Sequence, residues 1–382
     1  MPWREVDTVT LRREFVLLAQ RDDCNISNLC KFFGISRKTA YKWLSRFKEL
    51  GEDGLCNRSR RPLTSPFKSE THLEDEVVAL RNLHPAWGGR KLKTRLEELG
   101  HDCVPAPSTI TAILRRRGLI DPVEAAKHKA FTSFEHPYPN DLWQMDFKGH
   151  FPMQQGRCHP LTVLDDHSRF NVVLQACANE RTGTVQAALT TAFRHYGLPD
   201  RMTMDNGSPW GSDAFHDLTP LTAWLIRLGI GVSHSRPYHP QTQGKDERFH
   251  RTLNLELISR WHFHNLEDCQ RRFDWFRSMY NLERPHESLG MKTPVTRYKV
   301  SHRPYPETLP AIEYDTGDHV RKVQDKGEIF FKGNVLRVSK ALHGYPVAVR
   351  PTNVDGVYSV FFCHHKLKDL DLKTVTHVPE HL

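Results

Sequence analysis

The sequence predicts a multidomain chain: all-α modules at the N-terminus, an α/β domain in the centre and a small all-β barrel at the C-terminus. Three observations predict it. Apolar residues recur at helical spacing as far as residue 118, and from residue 141 strict alternation takes over, with helical patterns between the strands. After a Pro-rich stretch at 302–310 only short strand patterns follow. A length of 382 residues, at about 150 per domain, allows several separate cores.

The first 60 residues carry three helical stripes: Leu11, Phe15, Leu18 and Ala19; Ile26, Leu29, Cys30 and Phe33; Ala40, Trp43, Leu44 and Phe47. Gly34 separates the second from the third, and Ser36 is placed to cap the third. Three short helices with a tight turn are the helix-turn-helix plan, which predicts a module over 1–62. The far side of the third helix carries Arg37, Lys38, Tyr41, Lys42 and Arg46. A helix entering the major groove needs such cations and donors; a solvated face of a three-helix bundle is the plainer alternative.

Residues 57–66, NRSRRPLTSP, read as a linker whose Arg58, Arg60 and Arg61 could follow a phosphate backbone or a narrow minor groove. Over 67–120 three more stripes predict a second helical DNA-binding module: Leu73, Val77 and Leu80; Leu92, Leu96 and Leu99; Ile110, Ile113 and Leu114. Ser108 is expected to cap its last helix, which ends in Arg115, Arg116 and Arg117. Residues 121–139 show no period and read as a linker.

Residues 140–262 predict the α/β domain. Trp143, Met145 and Phe147 alternate with Gln144, Asp146 and Lys148; strands follow at 160–166 and 170–176. A helix over 182–196 stops at Gly197, a strand at 200–207 places Met202 and Met204 opposite Thr203 and Asp205, and a helix at 218–228, a strand at 230–236 and a long helix from 243 complete the unit. Residues 263–300 read as a helical connector. The barrel, over 305–382, is predicted from the strands HVRKV, EIFFKG, NVLRVS, PVAVRP and VYSVFF, with a hairpin at Asp355-Gly356.

Composition narrows the function. Lys+Arg number 54 against 45 Asp+Glu, a net +9 that leans toward an anionic partner. No run approaches the roughly 18 apolar residues of a membrane span, and no secretory signal is read at the N-terminus, so neither membrane insertion nor export is expected. Eight cysteines without a C-x-x-C pair read as reduced thiols of a cytoplasmic protein. The adjacent pairs Cys158-His159 and His364-His365 lack the two-to-five-residue spacing usual for zinc ligands.

The chemistry is expected from carboxylates at strand ends. Asp146 and Asp205 lie on the polar side of alternating strands, and Glu247 begins a helix off its Phe249/Leu253/Leu257 stripe. A carboxylate so placed costs desolvation unless it meets a cation or donors. Three from two strands and a helix could hold two Mg²⁺ or Mn²⁺ ions about 4 Å apart for in-line attack on a phosphodiester. There is no G-x-x-x-x-G-K-[ST] loop and no G-x-S-x-G elbow. Asp165 and Asp166 also end a strand but read as a turn, and Asp246 neighbours Glu247. His234, His239 and His250, and more so Lys245, Arg248 and Arg251 on the helix of Glu247, are candidates for DNA contact.

The blocks LWQMDFKG, VLDDHSRF, DNGSPWGS and RPYHPQTQGKDERFHRTL resemble the retroviral-integrase catalytic core, and in particular the single-reading-frame bacterial insertion-sequence transposases of that superfamily. GISRKTAYKWLSRFKELGEDGL resembles their helix-turn-helix, and YPVAVRPTNVDGVYSVFF their C-terminal barrel. The resemblance implies an RNase H-like core with an Asp-Asp-Glu triad carried by Asp146, Asp205 and Glu247. It implies DNA as partner, both terminal inverted repeats and target, assembly as at least a dimer, and a cytoplasmic, nucleoid-associated location. One departure is the interval 206–246, longer than in many members, with the added length around 208–228. The integrase zinc domain has no counterpart here. A catalytically silent DNA-binding regulator and a ribonuclease H-type nuclease are the competing readings; the first would be favoured by a broken triad, and the second does not need two basic helical modules.

Overall fold

The computed structural model describes residues 7–58, 69–120, 135–211, 218–234 and 244–373. They fall into two packed units, divided between residues 68 and 69.

The first unit is three helices, α1 (Thr8–Ala19), α2 (Ile26–Phe32) and α3 (Arg37–Leu50), around Phe15, Val16, Cys30, Ala40, Trp43 and Leu55. Ser36 caps α3 by accepting the Thr39 N–H at 3.2 Å, and Asn25 caps α2 in the same manner. Leu11, read as part of the apolar stripe, is 39% exposed, and Val16, outside that stripe, is buried. The guanidinium of Arg12 lies 3.9 Å over the Trp43 ring, so the core tryptophan is covered by a cation on its outer side.

The second unit begins with α4 (Thr71–Leu83), α5 (Gly89–Glu98) and α6 (Pro107–Arg116). Ser108 does not cap α6. The helix starts two residues earlier, with Ala106 at the cap and Pro107, its φ already helical, in the first turn. These helices do not form a core of their own. Val77, Trp87, Leu92, Leu96, Ile110, Ile113 and Leu114 share one apolar cluster with Phe249, Leu253, Phe273 and Phe276 of the central domain.

The central sheet contains β1 (Trp143–Phe147), the two-residue β2 (Phe151–Pro152), β3 (Arg157–Asp165), β4 (Asn171–Cys177), β5 (Arg201–Met204) and β6 (Gly231–His234). Strand order is β4-β3-β1-β5-β6, with β2 on the start of β3; β3 runs antiparallel to β1 and β4, while β1, β5 and β6 are parallel. One face packs on α7 (Thr182–Tyr196) and α8 (Pro220–Arg227) through Trp143, Met145, Val163, Leu189, Phe193 and Met202. The other packs on α9 (Gly244–Glu256) and α10 (Leu266–Leu282). Gly197 ends α7 with φ 74°, where its absent side chain lets the carbonyl of Arg303 approach. The Pro-rich segment is therefore not a free linker. Arg303 donates to the carbonyls of Pro199 (2.8 Å) and Gly229 (2.8 Å) and pairs with Asp200 at 3.1 Å.

The C-terminal strands do not close into the expected barrel. β7 (His319–Lys322), β10 (Pro346–Pro351), β11 (Val357–Phe362) and β12 (His365–Asp371) form a sheet in the order β12-β11-β10-β7, and β8 (Glu328–Phe331) pairs only with β9 (Asn334–Arg337). Alternate residues of the hairpin, Ile329 and Phe331, turn inward with Val347, Val349, Val360 and Phe362, while Phe330 is exposed. The two layers bury their faces against each other, and four-residue strands leave little ladder to carry the sheet round to closure. Gly356, at φ 84°, makes the turn from β10 to β11 as the Asp-Gly pair predicted. Among the described residues no helix is long and apolar enough to cross a membrane.

Candidate active site

Asp146 lies on β1 between Met145, which is buried, and Phe147. The parallel register pairs Trp143 with Met202 and Gln144 with Thr203; continued by two residues it brings Asp205, just past the end of β5, level with Asp146. Both carboxylates then point to the same side of the sheet, because side chains alternate with period two. Burial pushes the Asp146 carboxyl up to about 7, with Asp205, then Glu180 and Glu247, adding to the rise, and a backbone hydrogen bond at Phe147 opposing it.

Asp205 is held by the turn that follows it. Its Oδ1 accepts the Gly207 N–H at 2.9 Å and the indole N–H of Trp210. Trp210 is buried and stacks on Phe147 with centroids 5.3 Å apart, so a strand residue beside Asp146 fixes the ring that holds Asp205. Trp210 was legible only as part of DNGSPWGS, with no role of its own. His234 on β6, an exposed residue, is bound to the Asp205 carbonyl through Nδ1 at 2.8 Å.

On α9, Phe249 and Leu253 face inward; Glu247, Arg248 and Arg251 are exposed on the other side. Glu247 acts on Asp146 electrostatically, but among the described residues no three His, Cys, Asp or Glu side chains gather as an ion-binding group. Asp246 is fully buried and neither of its oxygens has a hydrogen-bond partner. Burial first, then Asp146 and Asp166, hold its carboxyl well above the usual range. His250 sits on the same inner side: Nε2 meets Thr162 Oγ1 at 2.8 Å, and Thr162 in turn donates to the Asp146 carbonyl. Burial, then Lys148, pushes the imidazole down to about 4, so it stands neutral 3.9 Å from Asp146 and makes no ion pair with it at neutral pH. Asp146, raised by burial and by the neighbouring Asp205, and Asp205 beside it offer oxygen donors of the kind that suit a hard divalent cation.

The expected nucleic-acid contacts divide into three groups. Arg37, Lys38, Tyr41, Lys42 and Arg58 are exposed, and Arg46 is half-buried with its guanidinium 5.0 Å from the Trp43 ring. Arg60, Arg61 and His239 lie outside the described residues. Arg116 and Arg117 are engaged within the fold: Arg116 pairs with Glu74 at 2.6 Å and Arg117 with Asp75 at 3.1 Å, while Arg115 is exposed. Lys245 also differs from its reading as a phosphate contact. Its ammonium is bound to the buried Asp166, and its side chain is only 15% exposed. A lysine on the first turn of an exposed-looking helix turns inward because a buried carboxylate waits there, which sequence spacing does not show.

Comparison with known proteins agrees with the segment-by-segment resemblance. The helix-turn-helix domain family matches residues 11–62, and a homeodomain-like family matches 39–114. Two integrase core domain families match 136–240 and 228–294, and the IS481 family transposase C-terminal domain matches 318–377. The uncharacterized 39.2 kDa protein of insertion element IS476 from Xanthomonas euvesicatoria is 28% identical over 65% of this chain and 71% of its own length. The transposase for transposon Tn552 of Staphylococcus aureus is 23% identical over 73% of this chain and 64% of its own. Among solved structures, the HTLV-2 integrase catalytic core domain in complex with magnesium is similar at 16% identity and a TM-score of 0.33, over 43% of this chain and 99% of that one. The sequence resemblance to insertion-sequence transposases with an integrase core is thus independently found along most of the chain.

Proposed function

We propose that this chain, built of the helix-turn-helix, integrase-core and transposase C-terminal segments found above, is a DNA transposase that acts on the terminal inverted repeats of its own insertion sequence. The observation that carries the reading is the pair Asp146 and Asp205, level on adjacent parallel strands, with the Asp146 carboxyl raised by burial and by its neighbour.

In this reading Asp146, Asp205 and Glu247 hold the divalent cations. Bound Mg²⁺ or Mn²⁺, two per site, supplies Lewis-acid activation of the attacking oxygen and stabilisation of the leaving one. The protein supplies the placement. Trp210 and Gly207 orient the Asp205 carboxylate. Neutral His250 keeps β1 and β3 in register with α9 through Thr162 without adding a charge that would compete for the carboxylates. The exposed Arg248 and Arg251, on the side of α9 that carries Glu247, bind the phosphates that flank the scissile bond. In the first step water attacks the scissile phosphorus and the 3′-oxygen of the element's end leaves as a 3′-hydroxyl; in the second that hydroxyl attacks a target phosphodiester, forming the new ester bond and releasing a target 3′-hydroxyl. The three-helix unit, through Arg37, Lys38, Tyr41 and Lys42, reads the end sequence, and two ends require at least two copies of the chain.

The test is metal dependence of end joining by the purified full chain. Mg²⁺ and Mn²⁺ should both support joining of the element's own end duplex to a target plasmid. Ca²⁺, larger and looser in coordination, should support binding with little chemistry. Joining that persists after exhaustive EDTA treatment would refute cation-assisted chemistry at these carboxylates.

A further inference from the structure

We propose that Asp166 and Lys245 form a positioning clamp that sets the first turn of α9, and with it Glu247, against the strand carrying Asp146. The inference rests on reading Asp146, Asp205 and Glu247 as the catalytic carboxylates.

Asp166 follows β3 and is almost completely buried, and its polar groups reach three segments: β1 with the residue before it, His136 and α9. Its backbone N–H donates to the Leu142 carbonyl at 2.9 Å, just before β1. Oδ1 accepts from Gln144 Nε2 at 2.7 Å; Gln144 is two residues before Asp146 on the same side of β1. Oδ2 accepts the His136 N–H at 2.8 Å. The fourth partner is the Lys245 ammonium, which bonds to Oδ1 and lies 3.3 Å from the Asp166 carbonyl oxygen. Lys245 is the second residue of α9 and stands two before Glu247. One carboxylate thus reaches within two residues of Asp146 on one side and within two residues of Glu247 on the other.

The first turn of α9 needs such a tie. Asp246, between Lys245 and Glu247, is buried with both oxygens unpartnered, so it makes no hydrogen bond that would fix this turn. The bond of Lys245 to Asp166 supplies the fixed point and holds the helix end down. A surface ion pair would do little, but this one is enclosed, with 1% and 15% of the two side chains exposed. Lys245 and Asp166 touch no reacting atom in this account; they act through the placement of Glu247.

The test uses the full chain with Lys245→Met, which keeps length and apolar bulk but removes the cation, Lys245→Arg, which keeps a cation, and Asp166→Asn as a second way to break the clamp. Three quantities are measured: amide hydrogen exchange over residues 245–250, binding of Mn²⁺ alone from loss of its free paramagnetic resonance signal, and Mn²⁺-dependent nicking of supercoiled plasmid. Lys245→Met should speed exchange there, weaken Mn²⁺ binding about tenfold or more and slow nicking at saturating plasmid by a similar factor. The plasmid concentration for half-maximal rate should stay within about twofold, since a lost positioning contact acts on the rate rather than on DNA affinity. Lys245→Arg should recover most of each loss, and Asp166→Asn should reproduce the losses if Lys245→Met does not fold. Faster exchange with unchanged Mn²⁺ affinity and nicking would make the pair merely structural and overturn the proposal, as would unchanged exchange. Asp205→Asn, run in parallel, separates the two levels: if it retains Mn²⁺ binding and nicking, the reading of the carboxylates themselves is wrong.

Discussion

Asp146 shows how one side chain ties chemistry to stability. Its carboxyl is raised to about 7 in the fold, chiefly by burial and then by Asp205, so the ionised form is the one the fold disfavours. A group raised in this way contributes stability that is present below its unfolded pKa and lost as pH climbs through its folded value. Without divalent cations the melting temperature should therefore fall between about pH 4 and pH 7, and less so in Asp146→Asn. In the proposed function Mg²⁺ binds the ionised form, so it should raise the melting temperature more at the upper end of that range. Calorimetry of wild type and Asp146→Asn with and without Mg²⁺ checks this; an equal Mg²⁺ effect at both ends would contradict it. Asp146 and Asp205 were legible in the sequence because an alternating strand announces which side chains leave the apolar face. Trp210, Asp166 and the inward turn of Lys245 were not, because each depends on a partner far along the chain: Phe147 for Trp210, and Gln144, His136 and Lys245 for Asp166.

Elements with strong local signals came out where the sequence placed them. α7 spans Thr182–Tyr196 and stops at Gly197, and Ser36 caps α3. Removing that cap by Ser36→Ala should cost the three-helix unit about 1 kcal/mol, read from denaturant unfolding of residues 1–66. The misplacements are those where tertiary packing decides. Ser108 lost the cap to Ala106 because Pro107 starts the helix two residues early. The barrel did not close because β8 and β9 found their burial face to face with the larger sheet. The helices α4 to α6 were read as a separate module because their stripes are regular, yet those stripes bury against α9 and α10. Trp87, fully enclosed in that shared cluster, makes a sharp test. Trp87→Ala should lower the stability of the whole 69–382 unit by about 3–5 kcal/mol in a single transition seen equally by helical and tertiary signals. An early melting step confined to a helical signal would show that α4 to α6 fold by themselves.

In the proposed function, recognition and chemistry fall to separate units. Residues 1–66 hold 13 Lys+Arg against 8 Asp+Glu, and the described part has its own core. That fragment should fold alone and bind DNA of the element's end. Arg37→Ala or Lys42→Ala should cost it about 1–3 kcal/mol and relax specificity if the side chain reads a base. Loss uniform across sequences, with the salt slope reduced by about one, would mark a phosphate contact instead. Gel-shift titrations of end and scrambled duplexes at several salt concentrations distinguish the two. The division of labour also says what the carboxylates must not do: they should be indispensable for joining and dispensable for end binding. The most direct measurement is strand joining by full-length Asp205→Asn, which keeps the shape of the side chain and removes its charge. The expected result is wild-type affinity for the end duplex and a collapse of both 3′-end cleavage and joining to target DNA. Joining at near the wild-type rate by a variant that binds the end normally would contradict it.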